Sequence, residues 1–275
     1  MIRLSNLGTR VLVSVIGIPL IVIVCIVGKW LFLLFALAIG LVSYFEFSKM
    51  VSKKRHHTNW LAGALSITAI ITNAYYHFVD FQLLVFIIIS LLFLFELSRN
   101  KESAVANLGS TLIGVFYIGL FASSLVLLRE FYDESFFLYY RGGYLIISVF
   151  ATIWICDSGA YFIGSAIGTH KIFPRISPNK SWEGSIAGFI FSILGMIAAR
   201  YFALDFLSLL EAIIIGIIVG IFGQAGDFVE SMIKRDTNVK DSSSLIPGHG
   251  GIFDRFDSLL FTAPLVYLYL EFFAR

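Results

Sequence analysis

The chain has 275 residues, of which 58% are hydrophobic, 16% aromatic and 14% charged, and its formal net charge is +2. With a mean hydropathy of +0.88, it lies outside the range of ordinary soluble domains and is expected to be an all-α, polytopic integral membrane protein. So small a net charge gives no reason to expect a nucleic-acid partner, and the information lies in where the charges fall relative to the spans.

The first apolar run, Val11 to Val27, is followed by no small-residue cleavage site, and Lys29-Trp30 leads straight into the next run. It is therefore expected to remain as a membrane helix rather than act as a signal peptide. Runs long enough to cross roughly 30 Å of hydrocarbon lie at Arg10 to Gly28, Trp30 to Phe47, Trp60 to Val79, Phe81 to Leu97, Val105 to Leu128, Gly143 to Gly168, Gly184 to Leu204, Phe206 to Phe222 and Ser258 to Phe273, about nine spans. The short gaps at Lys29, Asp80 and Asp205 predict tight helical hairpins. Cys25 and Cys156 both fall inside apolar runs, as small buried hydrophobes do, and make neither a disulfide framework nor a zinc site.

Placing the N-terminus in the cytoplasm puts 15 of the Lys and Arg residues inside and 5 outside, as the positive-inside rule favours. Segments 169–183 and 223–257 then face the cytoplasm, and the loop Arg129 to Arg141 lies outside. By composition, residues 1–140 read as a transmembrane scaffold with almost no buried charge, and residues 141–275 as the catalytic region.

Within the sixth span, Asp157 shares a helical stripe with Tyr161, Gly164 and Gly168, with Ser165 alongside. An isolated ionised carboxylate there would cost several kcal/mol, so Asp157 must face protein or water. Two readings stay open: a polar cavity wall descending to the cytoplasm and open sideways to the inner leaflet, or a structural Asp beside a close-packing glycine stripe. The next segment, Thr169 to Gly184, carries Pro174 and Pro178 and cannot be one continuous helix. Its Ser177, Asn179, Lys180 and Ser181 can present donors to phosphate oxygens, and Ser181 with Glu183 can start the following helix. A solvated basic loop explains the same residues.

Farther on, Asp227, Glu230, Ser231 and Lys234 are spaced to share one helix face. A salt-bridged surface helix accounts for Lys234 and Arg235 but poorly for Asp227, which sits at the membrane end. Between Ser231 and Asp257 lie four cations, Lys234, Arg235, Lys240 and Arg255, and four carboxylates, Asp236, Asp241, Asp254 and Asp257. They surround the glycine-rich turn Pro247-Gly248-His249-Gly250-Gly251. Such a grouping suits metal-assisted phosphate chemistry, with Asp254 and Asp257 as cation ligands beside backbone that a phosphate can approach. Helix capping explains one of these two acids, and His249 reads equally as a base, a phosphate donor or a turn residue.

Together these residues resemble the CDP-diacylglycerol synthase, or phosphatidate cytidylyltransferase, family. The family pattern is filled without a gap by Ser231, Lys234, Arg235, Lys240, Asp241, Ser243, Pro247, His249, Gly250, Gly251, Asp254, Arg255 and Asp257. The Asp157-Ser158-Gly159-Ala160-Tyr161 run, the Ser177 to Gly184 run and Gly226-Asp227 also match, so the resemblance covers residues 150 to 260. Three serines at 242–244 stand where glycine is common in the family.

The resemblance implies a nucleotidyltransferase of phospholipid synthesis: CTP and phosphatidate react to CDP-diacylglycerol and pyrophosphate at a cytoplasm-facing polar cavity in the cell (inner) membrane. It implies Asp227, Asp254 and Asp257 as Mg2+ ligands, a second cation such as K+, and a homodimer. Catalysis would fall to Asp227, Lys234, Asp254, Arg255 and Asp257. Phosphate and substrate contacts would come from Lys180, Arg235 and Lys240, with Asp157, Ser177, Asn179, Ser181, Ser231, Asp241, His249, Gly250 and Gly251. A transporter with Asp157 as its coupling site is the main rival, but the charge is concentrated on one side rather than at mid-membrane. A non-enzymatic scaffold leaves the charged cluster without a purpose, and the spaced Asp and Gly run of a CDP-alcohol phosphotransferase is not found.

Overall fold

A computed structural model describes residues 6–132, 138–246, 248 and 250–274. Residues 133–137 of the loop expected outside, and Pro247 and His249 of the glycine-rich turn, lie outside the described residues. The protein is all-α and polytopic. Its helices are α1 (Asn6–Val27), α2 (Lys29–Ser52), α3 (Trp60–Tyr76) and α4 (Phe81–Leu97). They continue as α5 (Ala104–Arg129), α6 (Tyr140–Ile167), α7 (Trp182–Phe202), α8 (Leu209–Asp236) and α9 (Phe253–Phe273). Each predicted apolar run falls on one of these helices. Among the described residues, six (α2 and α5 to α9) are long and apolar enough to cross a membrane, and the apolar stretch 13–27 of α1 and the whole of α4 are shorter.

The expected hairpins have physical causes. Gly28 and Lys29 take positive φ (66° and 49°) and break α1 from α2. Asp80 caps α4 by accepting from the backbone of Gln82 and Leu83 at 2.9 and 3.1 Å. Ser208 and Glu211 form a reciprocal capping box at the start of α8, which supplies partners for two of the amides that a helix start leaves unpaired. α8 then runs through a π-helical turn over Val219–Gly223 into Gln224–Asp236, well beyond the run expected to end at Phe222.

The chain divides into two compact units: Met1–Leu127 with Lys234–Phe256, and Leu128–Ile233 with Asp257–Arg275. In the first, α2, α3 and the π-helical turn Gly114–Leu120 of α5 close on Tyr44, which is 1% exposed and donates to the Asn59 carbonyl at 3.2 Å. Gly63 and Gly114 make room for its ring: a Cβ on either would overlap the tyrosine. The second unit is organised by α6, α7 and α8.

One expectation is corrected. Residues 1–140 do bury charge: Glu46, Glu96 and Arg129 are 1%, 4% and 0% exposed. Each is placed where the fold supplies partners. Glu96 pairs with Arg99 at 2.7 Å and accepts from Asn107 at 2.9 Å. Arg129 donates to the Tyr139 carbonyl at 3.2 Å and lies over its ring.

Gly63→Ala is expected to destabilise the protein by about 1–3 kcal/mol, because a buried tyrosine must be displaced by the added methyl. Thermal unfolding in detergent measures this, and a midpoint unchanged from the parent would mean that Tyr44 can move freely.

Candidate active site

In the second unit, α6, α7 and α8 line a half-open cavity of about 680 Å³ that carries several polar side chains. The α6 stripe supplies Asp157, Tyr161, Gly164, Ser165 and Gly168, the connecting loop Ser177, Asn179 and Lys180, and α8 Gln224 and Asp227. The stripe expected from spacing alone therefore does line a cavity, and its glycines also pack. A Cβ on Gly164 would lie 3.3 Å from the Gly184 Cα, and one on Gly168 would overlap Ser181.

The loop between α6 and α7 is tied back on itself. Trp182 donates its backbone N–H to the His170 carbonyl at 2.9 Å, and Glu183 accepts from the Thr169 hydroxyl and the His170 backbone at 2.9 and 3.2 Å. Ser181, 2% exposed, caps α7 by accepting from the Gly184 amide at 3.3 Å. This closure presents Lys180 to Asp227 in a direct ion pair, with the ammonium 4.5 Å from the centre of the Phe228 ring.

The π-helical turn of α8 ends immediately before Gln224 and Asp227. Gln224 donates to the Gly220 carbonyl at 2.7 Å and to that of Ser185 at 3.0 Å, so its side chain covers backbone that the wider turn exposes. Beyond it, Asp227, Glu230 and Asp257 bring carboxylate oxygens within 4.8 Å of one another. Glu230 and Asp257 are 1% and 8% exposed. Ser231 donates to Asp227 at 3.4 Å, and Asp257 accepts from the Ser258 amide at 2.7 Å. Three hard oxygen donors converging from two helices can hold a divalent cation such as Mg2+.

Asp254 has different partners, in the first unit. Its carboxylate accepts from Lys234 Nζ at 2.9 Å, from the Ser242 amide and hydroxyl at 3.0 Å each, and from the Gly251 amide at 2.8 Å. Thus Asp227 and Asp257 are brought together with Glu230, while Asp254 fastens the loop ahead of α9. Arg235, Lys240, Asp241 and Arg255 are exposed, and Arg235 donates to the Val239 carbonyl at 3.1 Å. Gly250 takes φ +84°, the left-handed region that favours glycine.

Sequence reading gave no role to Glu46 and no ligand role to Glu230 or Gln224. Each carried a signal: an acid inside an apolar run, an acid one turn from Asp227, and an amide just ahead of Gly226.

Asp257→Asn is expected to weaken Mn2+ binding, followed by electron paramagnetic resonance in micelles, by at least about tenfold, since one of three charges is lost. Asp254→Asn should leave that affinity within about twofold and lower stability by about 1–3 kcal/mol. The reverse pattern would move the cation to Asp254.

The cytidylyltransferase family model matches residues 8–273. The phosphatidate cytidylyltransferase of Bacillus subtilis is 32% identical over 275 residues, covering 98% of this chain and 99% of the relative. The enzyme of the same name from Synechocystis is 35% identical over 287 residues, covering 95% of each. That of Brucella suis is 33% identical over 283 residues, covering 99% and 96%.

Proposed function

This chain belongs to the cytidylyltransferase family, and from that premise we propose that it joins CTP to phosphatidate, giving CDP-diacylglycerol and pyrophosphate. The observation that carries this reading is the half-open cavity of about 680 Å³ with its polar side chains, built into an otherwise apolar helical unit and bounded by Asp227, the first of three gathered carboxylates.

A phosphate oxygen of phosphatidate attacks the α-phosphorus of CTP; that P–O bond forms as the bond from the α-phosphorus to the bridging oxygen breaks, and pyrophosphate leaves with the electron pair. No strong base is required, because the attacking phosphate is already ionised near neutral pH. Both reactants are anions, so charge compensation and alignment dominate the barrier. Asp227, Glu230 and Asp257 would hold Mg2+, which when bound supplies positive charge to the triphosphate and the departing pyrophosphate.

Lys180 is the cation best placed to serve the cavity, since it lines it and pairs with Asp227. As substrate enters, its ammonium can pass from the carboxylate to a phosphate oxygen without leaving the site. Ser177 and Asn179 add neutral donors to the cavity lining, and Asp157 adds a carboxylate. Asp254 is assigned to shaping the loop, with Lys240, Arg235 and Arg255 as exposed cations for the nucleotide phosphates.

In a reconstituted assay with CTP, phosphatidate and Mg2+, Lys180→Ala and Asp227→Asn are each expected to lower kcat/KM by about 10²–10³-fold, the scale set by removing one positioned electrostatic group. EDTA should abolish turnover. If the parent protein makes no CDP-diacylglycerol, the substrate assignment is wrong; if only Lys180→Ala is silent, the cavity assignment is.

The positive-inside distribution supports a cavity open to the cytoplasm, the compartment that holds CTP, in a protein of the cell membrane. Cysteines placed by Arg175→Cys and Ser244→Cys, both exposed positions, should react with an impermeant maleimide only in inverted vesicles. Labelling from outside intact cells would overturn this orientation.

A further inference from the structure

Among the buried acids, Glu46 has a place that the reaction above does not use. It lies in α2, a helix long and apolar enough to cross a membrane, and is 1% exposed. An acid at such a position is costly unless the fold meets it with donors.

Both oxygens are met in the same way, each by one hydroxyl and one backbone amide. Oε1 accepts from the Ser243 hydroxyl at 2.5 Å and from the Ile252 amide at 3.1 Å. Oε2 accepts from the Ser242 hydroxyl at 3.1 Å and from the Phe253 amide at 2.8 Å. Phe253 is the first residue of α9 and Ile252 the one before it, so both amides lie at the helix start, where a helix has no internal acceptors and its dipole favours negative charge. Glu46 therefore caps α9 from a helix about two hundred residues away in sequence, and with the same carboxylate holds the two serines at the other end of the loop.

The surroundings are built for this contact. A Cβ on Gly251 would overlap the Ser242 hydroxyl and both Glu46 oxygens, so only glycine lets the carboxylate approach. Phe253 is 0% exposed and sits edge-on to Tyr117, and Phe256 sits edge-on to Phe35. The Ser242 hydroxyl also lies 3.0 Å from Asp254, and its single proton is shared between the two acids. Ser242 and Ser243 supply half of the donors to Glu46.

We propose that Glu46 is a positioning residue for nucleotide binding: from α2 it fixes Ser242, Ser243 and the start of α9, and through them the placement of Lys240 and Arg255. The inference rests on the reading that these cations meet CTP. Glu46 itself touches no substrate.

Glu46→Gln is the sharpest test because it keeps the shape and exchanges one acceptor oxygen for an NH2. Whichever way the amide turns, that NH2 faces a backbone N–H, and only the hydroxyl at the same position can reorient to accept. The expected result is a KM for CTP raised at least about tenfold, a KM for phosphatidate within about twofold of the parent, and a cooperative thermal transition retained in detergent. Hydrogen exchange at the amides of Ser242, Gly251, Ile252 and Phe253 should accelerate with or without substrate. Ser243→Ala should give a smaller change in the same direction, and adding it to Glu46→Gln should be much less than additive, since both act on one contact.

Unchanged exchange in the loop, or a KM for CTP within about twofold of the parent, overturns the proposal. Equal losses for both substrates together with a lowered thermal midpoint would reduce Glu46 to a packing role. Because loop exchange is read without turnover, a parent protein that proves inactive with CTP would refute the substrate assignment while leaving the positioning of the loop measurable.

Discussion

A carboxylate inside an apolar helical protein persists only if hydrogen-bond donors, a cation or a proton compensates its charge, and the sites of this protein follow from how each acid meets that requirement. Glu46 and Asp254 are surrounded by N–H and O–H donors, and Lys234 joins them at Asp254. Asp227, Glu230 and Asp257 also face one another, although Asp227 pairs with Lys180 and accepts from Ser231, and Asp257 accepts from the Ser258 amide. Like charges at that separation repel, and a bound cation reverses the sign of the interaction. That contrast is why the proposed Mg2+ goes to this trio, while Glu46 and Asp254 are assigned to shaping the backbone.

Close helix contact makes the cavity possible. In lipid there is little hydrophobic drive between helices, so small residues that let backbones approach carry much of the association. Gly184 lies against the Ala160 carbonyl and the Gly164 Cα, and Gly188 against the Cys156 carbonyl. Along this seam the outer turns of α6 leave room for Asp157, Tyr161 and Ser165 to face the cavity. On α8 the widened turn at Val219–Gly223 comes directly before the two residues that α8 contributes, and Gln224 repairs the backbone that the widening exposes. In α8 the irregular turn thus lies where a side chain satisfies its backbone.

Hydropathy made the helices legible because an apolar run has few alternatives in a membrane, and each predicted run lies on one helix. The Asp157 stripe was legible for the same reason: a lone acid and spaced glycines in a span leave only cavity or packing, and the structure uses the stripe for both. What spacing could not reveal was pairing across long sequence separations. Glu46 and the loop it holds are about two hundred residues apart, and no local pattern in Trp30 to Phe47 names a partner. Glu230 was visible on the face of Asp227, but its convergence with Asp257 depends on how α8 and α9 pack. Buried charge before residue 140 was underestimated because composition counts charges without weighing their partners.

Asp254 and Asp257 show most sharply what the sequence pattern conceals. Three residues apart on one helix, they read as equivalent ligands, yet Asp254 turns to the loop amides and Asp257 to the other carboxylates. The loop's glycines change meaning as well. Flexible glycines near a charged cluster suggest backbone amides free for phosphate, but the Gly251 amide is already given to Asp254, and the missing side chain makes space for Glu46. Its glycine is thus required by an internal contact. In the proposed reading, nucleotide phosphates are met by lysine and arginine side chains, and the acid buried in α2 holds Ser242, Ser243 and the start of α9 beside them.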